Sequence, residues 1–195
     1  MRLNIKQFFW LVVLSLIAAV VLYAQVRNSG TTNASADSLC TTNLVIIRVQ
    51  LHDWGWNGAA LPRNLGPLSK VITNSDVFVC PASGHQPGSV ANIDEWTDYI
   101  YFVQPDDSGP PKVPLLICPP ENHNGEFGNV MWRDGNRSRL TPEEIRALIK
   151  EPWIMEKSAD FAELQYMKET IQVHIPSRFR STYSNAYAPG VKLKD

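Results

Sequence analysis

The apolar segment from Phe8 to Tyr23 constrains this chain more than any other feature. It is uncharged and almost entirely apolar, with Arg2 and Lys6 before it and Arg27 after it. A membrane-spanning helix needs about 20 apolar residues, and the segment approaches that length when it is extended to Val26. We therefore expect residues 1–26 to form an uncleaved helical membrane anchor. A removed export signal is the alternative.

The charges around this segment predict its orientation. Positive residues precede it and few follow, so the N-terminus is expected on the cytoplasmic side. The predicted location is a single pass through the cytoplasmic (inner) membrane, with the lipid bilayer as partner and the globular domain on the outer, periplasmic side. The net charge is −1 and no basic stripe is present, which argues against a nucleic-acid partner.

The rest of the chain divides into three parts. Residues 27–39 are polar and predict a linker or a continuation of the helix. Residues 40–155 form the expected globular domain, and residues 156–195 a partly ordered C-terminal extension. About 160 residues outside the anchor are enough to bury roughly 70% of the unfolded surface without metals or bridges.

The segment 44–54 supports two interpretations. Val45, Ile47, Val49 and Leu51 recur at every second position and the segment is rich in β-branched residues, as in a strand, and this pattern is slightly favoured locally. Leu44, Ile47 and Leu51 also recur at helical spacing.

A hairpin and the helix after it have the clearest local patterns. Asp134-Gly135 suits a two-residue turn between Val130–Arg133 and Asn136–Leu140. Thr141-Pro142-Glu143-Glu144 predicts a capped helix start with Ile145, Leu148 and Ile149 on its apolar face. The other predicted elements are short helices at Leu68–Ile72 and Ser158–Glu169, strands at Asp76–Cys80, Thr97–Val103, Val113–Cys118 and Gln172–Ile175, and a loosely ordered end over 177–195. Together they predict an α+β fold.

The cysteines and histidines leave the chemistry open. Cys40, Cys80 and Cys118 fit an oxidising compartment, either as one bridge with a leftover thiol or as three separate thiols, and the spacing does not choose a pair.

The four histidines lack HxxxH or HExxH spacing. No GxSxG elbow or Gly-rich phosphate loop is present, and the loop carboxylates lack an ordered calcium-binding spacing. The sequence thus predicts no enzyme, cofactor or metal. The alternative is an exported metal-dependent hydrolase or ligand-binding module that uses His52, Asp53, His123 and Asp134.

The order of several short motifs resembles bacterial pilin-like proteins. The motifs are Cys40-Thr-Thr-Asn43-Leu44, the Phe78-Val-Cys80-Pro81 segment, Asp98-Tyr99-Ile-Tyr101, and His123 followed by Gly128-Asn129-Val130 and Asp134-Gly135. This is similar to the pseudopilin group with a prepilin-type N-terminal helix and a His-x9-Asp-Gly signature, found in type II secretion and type IV pilus-like systems. The chain departs from the group in three ways. Ten residues, not nine, separate His123 from Asp134; Asn136-Arg137 stand where the group usually has His-Val; and the prepilin peptidase site is missing.

The resemblance implies a fold and a function. The fold would be a long N-terminal hydrophobic helix packed on a small antiparallel sheet, with short C-terminal helices, so 44–54 is interpreted as helix. A Cys40–Cys80 disulfide is implied, and His123, Asn129, Asp134 and Gly135 would shape the hairpin. The implied function is that of a non-enzymatic, membrane-anchored structural or assembly protein that associates with like subunits or with secretion or pilus machinery.

Overall fold

A computed structural model describes residues 35–56, 60–103, 113–152 and 170–183 of this chain. The chain divides into two compact units, 1–38 and 39–195, and nearly all described residues belong to the second. The apolar segment Phe8–Tyr23, the predicted helix Ser158–Glu169 and the tail beyond residue 183 lie outside the described residues.

The first described element is helix α1, over 35–56. Cys40, Leu44, Ile47 and Leu51 are buried at spacings of three or four residues, whereas Val49 is 41% exposed. The helical interpretation of 44–54 is therefore confirmed. The local preference for strand was misleading because β-branched residues occur in helices whenever a neighbouring surface covers one face.

The core of the fold is a five-stranded antiparallel sheet in the order β4-β3-β2-β1-β5. Every residue of the three central strands is buried. In the register, Ile100 of β1 lies opposite Ile117 of β2, which lies opposite Val130 of β3. The strands are β1 (Ile100–Val103), β2 (Pro114–Cys118), β3 (Gly128–Trp132), β4 (Arg137–Leu140) and β5 (Gln172–His174).

Short helices connect the sheet to its surroundings. They are the 3-10 helices Gly66–Lys70, Ser75–Phe78, Val90–Asn92 and Pro120–His123, and the α-helices α2 (Ile93–Trp96), α3 (Pro142–Lys150) and α4 (Ser177–Tyr183). The predicted strand Asp76–Cys80 is wrong. The Asn74 side chain accepts a hydrogen bond from the Asp76 N–H and so caps a 3-10 turn instead.

The two faces of the sheet carry separate apolar clusters. Neighbouring strand residues point to opposite faces, so Tyr101 joins one cluster and Phe102 the other. The α1 face contains the buried side of α1 and the 3-10 segments. The α3/α4 face contains Ile145, Leu148, Phe179 and other residues from α3, α4 and the sheet.

The hairpin pairs β3 with β4, but its turn is longer than predicted. The Trp132 N–H donates to the Asn136 carbonyl at 2.9 Å, which leaves three residues in the loop. Gly135 has φ +89°, and a Cβ there would lie 2.9 Å from Cζ of Arg48. Asp134 does not share the positive φ that a two-residue turn of this kind requires.

Helix α3 begins as the sequence predicts. The Thr141 hydroxyl accepts from the Glu144 N–H, the Glu144 carboxylate accepts from the Thr141 N–H, and Ile145, Leu148 and Ile149 are buried.

The prediction of a loosely ordered segment from residue 177 is wrong for Ser177–Tyr183, which is helical, because Phe179 and Tyr183 are buried against the sheet.

The predicted fold class is wrong because its long N-terminal apolar helix is not found in the described structure. The described chain is α+β, but it contains no long apolar helix on the sheet, since α1 is amphipathic. Within the described residues, no helix combines the length and the apolarity needed to cross a membrane. The described structure therefore supports neither the transmembrane anchor nor the inner-membrane localisation, and residues 1–26 lie outside it.

Candidate metal centre

Three cysteines and one histidine meet inside the α1 face of the domain. Cys40, Cys80, Cys118 and His123 are all buried, and one ligand atom of each lies within 4.8 Å of the others. Nε2 of His123 lies 3.7 Å from Sγ of Cys40, 3.8 Å from Sγ of Cys80 and 3.4 Å from Sγ of Cys118. Four such side chains at this spacing could hold a metal ion.

Each ligand comes from a different element of the fold. Cys40 shares the buried face of α1 with Leu44 and Ile47, so helical periodicity directs its thiol inward. Cys80 follows the 3-10 helix Ser75–Phe78, and Cys118 is the last residue of β2. The site therefore joins the helix, a loop and the sheet.

A tight turn returns the chain from Cys118 to His123. Pro119 and Pro120 lead out of β2, and Pro120–His123 forms a 3-10 turn. Asn124 follows with φ +55°, and the Gly125 N–H donates to the Pro120 carbonyl at 2.8 Å. This conformation brings His123 back beside the thiol of Cys118.

Polar side chains surround the thiols. The Asn122 amide donates to Sγ of Cys118 at 3.4 Å, and the Asn129 amide donates to Sγ of Cys40 at 3.6 Å. The N–H of Cys80 donates to the Asp98 carboxylate at 2.9 Å. Outer contacts of this kind orient the ligands of protein metal sites.

An aromatic stack covers the histidine. The His123 ring packs on Phe127 with 4.4 Å between ring centroids, and the Arg139 guanidinium lies 3.2 Å from the Phe127 centroid. Stacking on Phe127 restricts rotation of the imidazole, which is 5% exposed, and this favours a fixed ligand over a mobile acid or base.

The three buried thiols shift one another's pKa values in opposite directions: the pKa of Cys80 is lowered, and those of Cys40 and Cys118 are raised. Hydrogen bonds from Cys118 and Cys40 hold the pKa of Cys80 well below its ordinary value, with His123 adding to the effect. Burial raises the pKa of Cys118, and hydrogen bonding and negative charge at Cys40 and Cys80 raise it further. Three thiolates coexist here only if a metal ion offsets their repulsion and their lost solvation.

The spacing and donor types fit zinc. A tetrahedral zinc ion, with Zn–S bonds of about 2.3 Å and a Zn–N bond of about 2.0 Å, places neighbouring ligand atoms about 3.5–3.8 Å apart. The three distances from His123 to the thiols lie in or close to this range. Three sulfurs and one imidazole nitrogen disfavour calcium and magnesium, which take oxygen ligands.

The disulfide implied by the family resemblance is not formed. Cys40, Cys80 and Cys118 are all free thiols. Cys118, which the resemblance left outside the pair, lies closer to Nε2 of His123 (3.4 Å) than Cys40 (3.7 Å) or Cys80 (3.8 Å) does.

The four predicted hairpin residues divide between two places. His123 and Asn129 belong to the metal centre. Asp134 and Gly135 lie in the β3–β4 turn, where the Asp134 carboxylate accepts from the backbone and side chain of Asn136.

The four residues of the alternative hydrolase site, His52, Asp53, His123 and Asp134, do not form one cluster among the described residues. His52 and Asp53 lie on the solvent side of α1, with side chains 43% and 63% exposed and 3.9 Å between Nδ1 and Oδ1. Neither belongs to the metal group, and nor does Asp134. The other two histidines pair with carboxylates, His85 with Asp98 at 3.2 Å and His174 with Asp94 at 3.5 Å.

Sequence reasoning missed this site for a physical reason. Cys118 and His123 are five positions apart, a local spacing compatible with two ligands of one ion, and this was the available signal. Cys40 and Cys80 are far from this pair in sequence, and their approach depends on the packing of α1 against the sheet.

Comparisons with known proteins do not assign this chain to a family. No known family model, curated protein or solved structure matches this chain. The resemblance to pilin-like proteins therefore stays a prediction.

Proposed function

We propose that this domain is a structural zinc-binding module with a Cys3His site. The observation that carries the proposal is the convergence of four buried ligand atoms within 4.8 Å. The protein supplies all four tetrahedral positions, so the ion has no open position for substrate or activating water. The role of the metal is accordingly structural.

The metal would act as a cross-link between distant parts of the chain. Cys40 belongs to α1, whereas Cys118 ends a central strand. Linking them through one ion stabilises the folded state because the unfolded chain offers no preformed site. The segments around Cys80 are short 3-10 turns and loops with few ladder hydrogen bonds, so they gain most from such a link.

The resemblance to pilin-like proteins adds a proposed context. A rigid, non-enzymatic domain suits a subunit that associates with copies of itself or with secretion machinery. Support comes from the order of the sequence motifs alone. Analytical ultracentrifugation of the full chain tests it, and a concentration-independent monomer would contradict self-association.

The zinc proposal is tested by metal content and by cobalt substitution. We expect one zinc per full-length chain purified under reducing conditions. The cobalt form should show the charge-transfer bands of thiolate-bound cobalt and the visible bands of a tetrahedral ion. His123→Ala should weaken binding strongly, since it removes one of the four ligands.

His52→Ala is the matched control, because His52 is a histidine outside the metal group. It should leave the metal content unchanged. A protein without bound metal, with a mass lower by two hydrogens, would contradict the proposal and favour a disulfide.

A further inference from the structure

Helix α4 contacts two residues that hold metal ligands in place, Asp98 and Glu121. Arg178, near its start, donates to the Asp98 carboxylate. The hydroxyl of Tyr183, at its end, donates to Oε2 of Glu121 at 2.8 Å. Glu121 lies in the 3-10 turn between Cys118 and His123. One seven-residue helix therefore contacts residues that position three of the four ligands, Cys80, Cys118 and His123. We call these positioning residues, Asp98 and Glu121, the ligand supports.

Asp98 connects Arg178 to the thiols. Its side chain is 0% exposed, and its carboxylate accepts from the Cys80 N–H at 2.9 Å and from the Ser83 hydroxyl at 2.6 Å. Its backbone carbonyl accepts from the Asn122 amide at 2.9 Å, and the same amide donates to Sγ of Cys118. The position of Asp98 therefore affects both Cys80 and Cys118.

The positive charge of Arg178 offsets the negative charge of the Asp98 carboxylate beside the proposed metal site. A zinc ion with three thiolates and a neutral imidazole would have a net charge of −1, and the buried Asp98 carboxylate accepts a hydrogen bond from the backbone N–H of one of its ligands, Cys80. A buried carboxylate without a cation is strongly unfavourable. Asp98 has two basic partners, Arg178 and His85, with Nδ1 of His85 3.2 Å from Oδ1 of Asp98. Arg178 is the permanently charged one. Its side chain is 30% exposed, so this ion pair lies at the edge of the domain.

The Tyr183 contact holds the other loop. Tyr183 is 1% exposed and packs in the cluster on the α3/α4 face. Its hydrogen bond to Glu121 ties the Cys118–His123 turn to this cluster. Displacing α4 would therefore free this turn and leave Asp98 without its arginine.

We propose that α4 controls the affinity of the metal centre, so that docking of α4 and binding of zinc stabilise each other. Arg178 and Tyr183 are positioning residues that act through Asp98 and Glu121. Coupling of this kind is reciprocal: a bound metal holds α4 in place, and a displaced α4 weakens metal binding. The inference rests on the proposed zinc function and adds a means of metal release.

The test measures zinc affinity of the full chain by competition with a chromophoric chelator. Arg178→Gln should lower the affinity about tenfold or more, as expected for a partner of a ligand support. Tyr183→Phe should lower it less, because it removes a single hydrogen bond. Both cobalt forms should keep the thiolate charge-transfer bands of the wild type, because all four ligands remain.

Arg180→Gln is the matched control on the same helix. Arg180 donates to the backbone carbonyl of Ile175 rather than to Asp98 or Glu121. Equal affinities of Arg178→Gln and Arg180→Gln would overturn the coupling while leaving the zinc proposal intact. A wild-type chain that binds no metal would instead overturn the zinc proposal.

Hydrogen exchange on the wild-type chain gives an answer even if the variants do not fold. Amides of Ser177–Tyr183 should exchange more slowly with zinc than after chelation, and the change should exceed that in Pro142–Lys150 of α3. Equal changes in the two helices would contradict a specific coupling of α4 to the metal.

Discussion

The two faces of the sheet are stabilised in different ways. The α3/α4 face is covered by a helix with a complete capping box and by buried aliphatic and aromatic side chains. The α1 face combines one amphipathic helix with short 3-10 turns, and three thiols and an imidazole lie within or beside its apolar cluster. Regular helices cover the α3/α4 face, whereas on the α1 face the proposed zinc ion would link the irregular segments to α1 and the sheet.

Metal removal should have the largest effect and should act mainly on the α1 face. Structural zinc in small peptides contributes about 10 kcal/mol or more of binding free energy, so chelation should exceed any single substitution. We expect faster hydrogen exchange in α1 and in the segment 75–83 than in α3. Equal loss of protection on both faces would show that the domain unfolds as one cooperative unit and would break the comparison.

Leu148→Ala should affect the opposite face. Leu148 is 1% exposed, and its truncation should lower the free energy of unfolding by about 2–5 kcal/mol through lost burial and a new cavity. Denaturant unfolding of the zinc-loaded chain measures this change. The zinc affinity of the folded variant should equal that of the wild type; a weakened site would mean that the faces are coupled through α3.

Gly135→Val should have a smaller effect at the contact between α1 and the hairpin. Gly135 has φ +89°, which a β-branched residue resists at a cost of about 1–3 kcal/mol. Arg48 of α1, which donates two hydrogen bonds to the Arg133 carbonyl, would also have to move. The thermal midpoint of the variant measures the loss.

Gly84→Val separates the two causes. Gly84 also has positive φ, but a Cβ there meets no atom within 4 Å. A smaller loss than for Gly135→Val would assign the difference to the Arg48 contact. An unchanged thermal midpoint for Gly135→Val would contradict the turn geometry.

The sequence predicted correctly those helices and strands that depend on interactions between neighbouring residues. The Thr141–Glu144 capping box and the buried face of α3 follow from neighbouring residues, and the structure contains both. Strands β1, β2 and β5 lie within their predicted segments. The predicted strand Asp76–Cys80 was wrong because a side-chain cap at Asn74 outweighed the β-propensity of DVFVC.

The sequence by itself determined that four ligand-type side chains exist, that α3 is capped and that a glycine-containing hairpin precedes it. Only the tertiary structure decided that Cys40, Cys80, Cys118 and His123 share one site. The reason is that convergence depends on the packing of α1 against the sheet and on the return of the chain after β2. Long-range packing of this kind leaves no fixed spacing in the sequence.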